Sequence, residues 1–175
     1  GGAAGTVLRF MALRASRVPG RHVIRGRPRL FARPQEELAR TFRQIGVQAE
    51  FAADHVVIES EGWRMHGDTL LISNAQSSQF ASSVLLNAWG LPFDLFVSLS
   101  GGRVSEGYWR MSVQMAERLG MKIDFWDGDF RVPRGQKIKA TELACEIDMS
   151  SAFVLAAIAA VAGQATLLDF PVRSL

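Results

Sequence analysis

Hydrophobic and polar residues alternate in two stretches of this chain, and each stretch directly follows a glycine. Residues 47–51 read VQAEF after Gly46, and residues 121–125 read MKIDF after Gly120. Alternation with a period of two is typical of a strand with one buried face. Turn residues and a second apolar run follow in both places, at 55–59 and 130–132. The pattern therefore predicts two β-hairpins.

A helical pattern precedes each predicted hairpin. Leu38, Phe42 and Ile45 fall on one face of a helix that has acidic residues in its first turn and ends at Gly46. The counterpart helix ends at Gly120, and its predicted apolar face is formed by Met111, Met115 and Leu119. The two terminal glycines are 74 residues apart, which indicates an internal repeat.

The repeat extends to the segments before these helices. Apolar helical stretches begin with small residues at 5–6, 77–78 and 150–151, at intervals of about 73 residues. Further strands are predicted after or before them, at 22–25, 69–73, 93–99, 138–147 and 165–168. The unit is strand–helix–strand–helix–strand–strand, and about two and a third units are present. Helices that cover one face of each sheet predict an α/β globule, since solenoid repeats are usually shorter.

Composition places the chain among ordinary globular proteins, but its charge is unevenly distributed. Of 175 residues 48% are hydrophobic and 21% charged, and the net charge is +3. Residues 1–43 contain ten arginines against Glu36 and Glu37. A basic region of this kind suits an anionic partner, either a nucleic acid or a small phosphate or carboxylate ligand. A solvated arginine-rich surface is the alternative reading.

Two local features favour a small anion. Helix N-termini with small residues present backbone N–H groups and the positive end of the helix dipole, although serine and threonine are also common helix caps. Arg33 is held extended by Pro34 at a helix entrance, where a guanidinium can bind a carboxylate or phosphate through two hydrogen bonds. A surface arginine beside its own helix is the alternative there.

Several classes of protein are excluded by missing motifs. One cysteine, Cys145, and three histidines give neither a disulfide framework nor a zinc spacing, and they indicate a reducing compartment. Cys145 is expected in the core rather than as a nucleophile. No P-loop or serine-nucleophile motif occurs, and the apolar run at 152–161 is too short for a membrane span. A start at GGAAG without methionine predicts a piece of a longer protein.

Five motifs, in order along the chain, resemble those of the 5-enolpyruvylshikimate-3-phosphate synthase family. They are GTVLR at 5–9, RLFARP at 29–34, SSQF at 77–80, SEGY at 105–108 and EIDMSS at 146–151. The resemblance implies an inside-out α/β barrel (alpha-beta prism) built from βαβαββ units. It further implies that residues 1–147 form most of one domain and that 148–175 begin the second.

The resemblance also implies an activity. Family members transfer the carboxyvinyl group of phosphoenolpyruvate to the 5-hydroxyl of shikimate 3-phosphate, in the shikimate pathway of aromatic amino acid biosynthesis. It implies a cytoplasmic, monomeric transferase with no metal, no organic cofactor, no nucleic-acid partner and no membrane contact. The general acid and base are expected outside this stretch of sequence, so the isolated chain is expected to be inactive.

Site residues follow from the resemblance motif by motif. Shikimate 3-phosphate would be bound by polar side chains of two motifs, namely Ser77, Ser78, Gln79, Ser105 and Tyr108. Phosphoenolpyruvate would be bound by Gly5, Arg33 and Gln79. The chain departs from the family pattern at a few positions near these motifs: Ala3, Phe10, Glu106, Gly107, Ile147 and Met149.

Two other functions remain open at this point. One is a noncatalytic anion- or nucleic-acid-binding module of the same fold, which a steep salt dependence of binding would reveal. Against this function, Phe10 and Phe31 are the only aromatic residues before Phe42. The arginines are therefore not interleaved with aromatic side chains on which nucleic-acid bases could stack. The other is a degenerate relic that folds stably and binds no ligand.

Overall fold

The computed structural model describes residues 2, 4–102, 105–139, 142–143, 146–168 and 170. By its internal contacts the chain divides into two units, Gly1–Lys139 and Ala140–Leu175. Ala3 and Cys145, both singled out from the sequence, lie outside the described residues.

The first unit contains two successive repeats. The first repeat comprises α1 (Gly5–Ser16), β1 (Gly20–Arg25), α2 (Pro28–Phe31), α3 (Glu36–Gln44), β2 (Gln48–Phe51) and β3 (His55–Ser60). The second comprises β4 (Thr69–Ser73), α4 (Gln79–Leu86), β5 (Leu95–Ser100), α5 (Glu106–Arg118), β6 (Asp124–Trp126) and β7 (Asp129–Val132). The second repeat is a complete βαβαββ unit, as predicted, and the first follows the same order from its first helix onward, with the short α2 added.

The two sheets share a topology. In the first sheet the strand order is β1-β3-β2, with every pair antiparallel. In the second it is β4-β5-β7-β6, where β4 runs parallel to β5 and the other pairs are antiparallel. The part β5-β7-β6 therefore repeats β1-β3-β2, which gives the sequence repeat a structural counterpart.

Both predicted hairpins are present. In the second hairpin Asp127 and Gly128 have φ values of 47° and 90°, the left-handed pair that a tight two-residue turn requires. Strand β6 begins only at Asp124, later than the alternation predicts. The side-chain amide of Gln136 instead bonds both backbone groups of Lys122, at 2.6 Å to its N–H and 2.9 Å to its carbonyl.

The core lies between the sheets and the helices of the first unit. Leu38, Phe42 and Ile45 of the α3 face are fully buried, as predicted. Helix α4 is buried over most of its length, and alternate residues of the strands, such as Leu70 and Ile72, complete the core. Each large apolar side chain buried in this way contributes about 1.5–3 kcal/mol.

Helix α5 buries a different face from the predicted one. Met111 is 41% exposed, and the residues that meet the core are Trp109, Val113 and Ala116. The indole of Trp109 lies 5.3 Å from the ring centroid of Phe130. The periodicity of the sequence allowed two faces, because helical spacing also relates Trp109, Val113 and Ala116. The contact between the aromatic rings of Trp109 and Phe130 favours burial of the face that contains Trp109.

Two predicted strands are wrong where the structure describes them. The described residues of 138–147 contain no strand, and residues 165–168 are irregular. A strand exists only where another strand supplies its hydrogen-bond partners. The N–H of Lys139 donates to the carbonyl of Leu119 at 3.0 Å, in a loop rather than in a strand ladder.

The second unit contains one helix, α6 (Met149–Ala162), among its described residues. The carboxylate of Asp148 caps it, accepting the N–H of Ser150 at 3.0 Å and the hydroxyl of Ser151 at 2.7 Å. These bonds, that of the hydroxyl first, hold the pKa of Asp148 below its ordinary value. Of the helices described along the chain, none is both long and apolar enough to cross a membrane.

Side chains of α3 cover the free edge of β4. The amide of Gln44 donates to the carbonyl of Leu71 at 2.9 Å and accepts its N–H at 2.8 Å. The carboxylate of Glu37 accepts the N–H of Ser73 at 2.8 Å. An uncovered edge strand would leave these backbone groups open to pairing with another chain. Helix α3 of the first repeat is thereby attached to the first strand of the second.

We predict that Gln44→Ala lowers the free energy of unfolding by about 1–3 kcal/mol, because two hydrogen bonds to the β4 edge are lost. Gln114→Ala, at an exposed position of α5, is the matched control and should change stability by about 0.5 kcal/mol or less. Urea unfolding followed by circular dichroism measures both. Equal effects of the two substitutions would contradict the role given to Gln44.

Candidate anion-binding site

The starts of α1 and α4 meet beside Arg33. The guanidinium of Arg9 donates from Nη1 to Oε1 of Gln79 at 2.6 Å and to Oγ of Ser77 at 3.5 Å. A Cβ added to Gly5 would lie 3.2 Å from Nη1 of Arg33. The fold therefore brings four predicted site residues, Gly5, Arg33, Ser77 and Gln79, together around Arg9.

Arg9 is a candidate site residue that the motifs did not predict. Its guanidinium lies 4.4 Å from the ring centroid of Phe80, and its buried Nε has no hydrogen-bond partner. Burial first, and the charge of Arg33 second, lower the pKa of Arg9. The available signal was its position one helical turn after Gly5 in the GTVLR motif.

The two arginines form a positive centre without a matching acid. Among the described residues, the ion pairs involve neither Arg9 nor Arg33. Arg9 is partly buried and Arg33 is exposed beside it; their like charges repel, and a bound anion would reduce that repulsion. The arrangement is therefore suited to a small anion with a carboxylate or phosphate group.

The remaining predicted residues meet at the starts of α4 and α5. Ser78 is 2% exposed, and its hydroxyl donates to the carbonyl of Ser105 at 3.3 Å. Ser105 has a left-handed backbone, with φ 58° and ψ 45°, directly before α5. Tyr108 is 64% exposed, and its N–H donates to the same carbonyl at 3.0 Å. Ser78 thus fixes the turn that presents Ser105 and Tyr108.

A groove of about 470 Å³ connects the two groups of residues. It runs between α1, α4 and α5, and its lining includes Thr6, Ser78, Gln79 and Tyr108. Phe10, one of the departures from the family pattern, also lines it. Gln79 therefore faces both the arginine pair and the groove that ends at Tyr108.

The helix ends differ in how they are capped. Neither α1 nor α4 has a side-chain hydrogen bond from its N-cap residue, Ala4 or Ser78. Ser77 Oγ accepts the N–H of Gln79 at 3.2 Å. The start of α1, which has no side-chain cap, favours the anion-binding reading over simple capping, whereas Ser77 already bonds the first N–H of α4. The third predicted end, that of α6, is already capped by the carboxylate of Asp148.

The loop before α4 is held by close backbone packing. The N–H of Asn74 donates to the carbonyl of Ser100 at 2.7 Å. Gly101 has φ 84°, and a Cβ there would lie 2.8 Å from the backbone nitrogen of Ala75. Only glycine fits this position, because both the conformation and the space exclude a side chain.

In the described part of the chain, no group of three His, Cys, Asp or Glu residues could hold a metal ion.

The βαβαββ repeats define an α/β protein whose candidate anion site, with Arg9 and Arg33 at its centre, lies at the starts of two helices. The family model described as EPSP synthase (3-phosphoshikimate 1-carboxyvinyltransferase) matches residues 1–170. The chain belongs to this family, as its motifs predicted.

Individual relatives agree with this assignment. The chain is 32% identical over 165 residues to a 3-phosphoshikimate 1-carboxyvinyltransferase of Methanoculleus marisnigri, a match that covers 93% of the chain and 39% of that protein. It is 30% identical over 174 residues to a pentafunctional AROM polypeptide of Eremothecium gossypii, covering 93% of the chain and 11% of that protein. The chain thus spans about two fifths or less of these relatives' lengths.

A solved structure shares the fold. An EPSP synthase from Acinetobacter baumannii superimposes with a TM-score of 0.67 at 22% identity, covering 86% of this chain and 34% of that one. The predicted inside-out α/β architecture is therefore confirmed.

We predict that Gly101→Ala destabilises the chain by about 3 kcal/mol, because the new Cβ meets the backbone of Ala75 in a left-handed conformation. Gly62→Ala is the matched control, since Gly62 has φ 87° with nothing within 4 Å of the added Cβ. Gly62→Ala should lower the free energy of unfolding only by the backbone strain of a left-handed alanine, about 1–2 kcal/mol. Urea unfolding compares them, and an equal loss would contradict the close packing of this loop.

Proposed function

We propose that this chain supplies substrate-binding residues of an enzyme that transfers the carboxyvinyl group of phosphoenolpyruvate to the 5-hydroxyl of shikimate 3-phosphate and releases phosphate. The observation that carries the proposal is the pair Arg9 and Arg33, which forms no ion pair with an acid and lies beside the starts of α1 and α4. Membership of the family supports the identity of the two substrates.

Each substrate has its own group of residues in this proposal. Shikimate 3-phosphate is bound by the hydroxyl-rich group, namely Ser77, Ser78, Gln79, Ser105 and Tyr108. Phosphoenolpyruvate lies against Gly5 and is held by Arg33 and Gln79. Glycine at position 5 leaves room for an anion, since a Cβ there would already approach Arg33 to 3.2 Å.

Gln79 is shared between the two substrates for a geometric reason. Its Oε1 accepts the hydrogen bond from Arg9 at 2.6 Å, so its NH2 group keeps two donors for substrate oxygens. Arg9 therefore orients the amide as well as adding positive charge. Holding two anions at reacting distance requires such fixed donors, because the substrates repel each other.

The remaining parts of the proposal concern the whole polypeptide. The general acid and base come from segments outside this chain, and residues from 148 onward begin the second domain. The enzyme acts without metal or organic cofactor, as a cytoplasmic monomer of the shikimate pathway. The lone cysteine among 175 residues supports a reducing compartment.

Nucleic-acid binding is less well supported. Several basic side chains lie beside acids: Arg21 beside Glu59 at 3.5 Å, Arg25 beside Asp54 at 3.5 Å, and Arg40 beside Glu37 at 2.6 Å. These pairs reduce the positive field that a phosphate backbone would meet.

We predict saturable heat when shikimate 3-phosphate is titrated calorimetrically into the folded chain. Ser78→Ala should weaken binding about tenfold or more, because the Ser105 turn and a hydroxyl are lost, whereas Arg33→Ala should change it little without phosphoenolpyruvate. Arg14→Ala, at an exposed position of α1, is the control for loss of one positive charge.

Titration at two salt concentrations separates the alternatives. A steep loss of affinity with salt for a DNA or RNA oligonucleotide, with no response to shikimate 3-phosphate, would favour the nucleic-acid module. Silence toward both, from a chain shown to be folded, would contradict the proposed substrate site and favour the relic.

We also expect the isolated chain to release no phosphate from a mixture of both substrates, because the proton-transfer groups are assigned to other segments. A colorimetric phosphate assay measures this, with the whole polypeptide as the positive control. Enzyme-like turnover by the isolated chain would contradict that assignment.

A further inference from the structure

Glu37 connects the start of α3, which follows Arg33, to the loop before α4, and it is not part of the groove lining. Its side chain is only 10% exposed. Oε1 accepts the backbone N–H of Ser73 at 2.8 Å, and Oε2 accepts a hydrogen bond from Arg40 at 2.6 Å. Ser73 is the last residue of β4, directly before the loop that leads to Ser77. One carboxylate therefore joins the first turn of α3 to the start of that loop.

The other end of this connection is the Arg33 segment. Arg33 and Pro34 directly precede α3, and the N-cap residue Gln35 is buried. The side-chain NH2 of Gln35 donates to the carbonyl of Leu30 at 3.2 Å. The start of α3 is thus a fixed support, so its attachment to β4 sets where Arg33 lies relative to Ser77 and Gln79.

The bond to Ser73, rather than the bond to Arg40, is the important one. The Arg40 side chain is 47% exposed, and exposed pairs one turn apart on a helix contribute little. Ser73 lies on the edge strand, whose ladder partner on the other side is Ser100 of β5. Without Glu37 the partly buried N–H of Ser73 would lose its acceptor, which is costly and would loosen the loop.

We propose that Glu37 is a positioning residue for the reaction proposed above, on which this inference rests. It holds the Arg33 end of α3 against the loop that carries Ser77, Ser78 and Gln79, and so sets the spacing between the two bound anions. It contacts neither substrate. A displacement of 1 Å at a reacting centre can cost about a hundredfold in rate, so a small shift of α3 would be measurable.

The test uses the whole polypeptide and steady-state kinetics for both substrates. Glu37→Ala should raise the KM for phosphoenolpyruvate about tenfold. Glu37→Gln should restore it to within about twofold, because an amide oxygen can accept the same N–H. Gln44→Ala is the matched control, since it removes two bonds between α3 and β4 at Leu71, away from Arg33. It should lower the melting temperature and leave the KM within about twofold.

Two results would overturn the inference. One is an unchanged KM in Glu37→Ala, and the other is an equal rise in Gln44→Ala, which would show a general effect of stability. Inactivity of the unsubstituted polypeptide would instead overturn the proposed function. Amide hydrogen exchange would then still show whether Glu37 holds the loop. Exchange over 74–79 should be faster in Glu37→Ala and unchanged in Gln44→Ala. Unchanged exchange in both variants would overturn the inference that Glu37 holds this loop.

Discussion

The free edge of β4 is the constraint on which the joint between the two repeats depends. An edge strand has hydrogen-bonding groups on one side that no strand satisfies. Here Gln44 and Glu37 of α3 supply side-chain partners to Leu71 and Ser73. The first repeat therefore completes the sheet of the second through side chains. Only the Glu37 bond lies at the end of α3 next to Arg33 and the loop before α4, so it is this bond, and not those of Gln44, that we propose the site depends on.

The candidate site contains unfavourable electrostatics that a bound anion would reduce. Arg9 is half-buried beside Arg33, and its buried Nε lacks a hydrogen-bond partner. Ser105 adds a left-handed backbone at the start of α5. Such features reduce the stability of the empty protein, and they are common where binding rather than folding selected the residues. The surrounding core, with α4 buried over most of its length, offsets that cost.

Glutamine side chains act twice as substitutes for a strand partner. Gln44 bonds both backbone groups of Leu71, and Gln136 bonds both backbone groups of Lys122. A primary amide presents one donor and one acceptor side by side, as a backbone residue does. Such bonds end or cover a strand without adding another strand. Among the described residues, these bonds cover the outer side of β4 and satisfy Lys122 just before β6 begins.

The sequence by itself determined the repeat, both hairpins and the buried face of α3, because each depends on local periodicity and on turn residues such as Asp127 and Gly128. Its motifs also indicated the family. Tertiary structure decided which face α5 buries, that 165–168 forms no strand, that Arg9 bonds Gln79 and that Glu37 bonds Ser73. Those outcomes depend on partners distant in sequence, as in the bond from Arg9 to Gln79 across 70 residues. Local patterns contain no information about which distant groups satisfy a buried charge or a free strand edge.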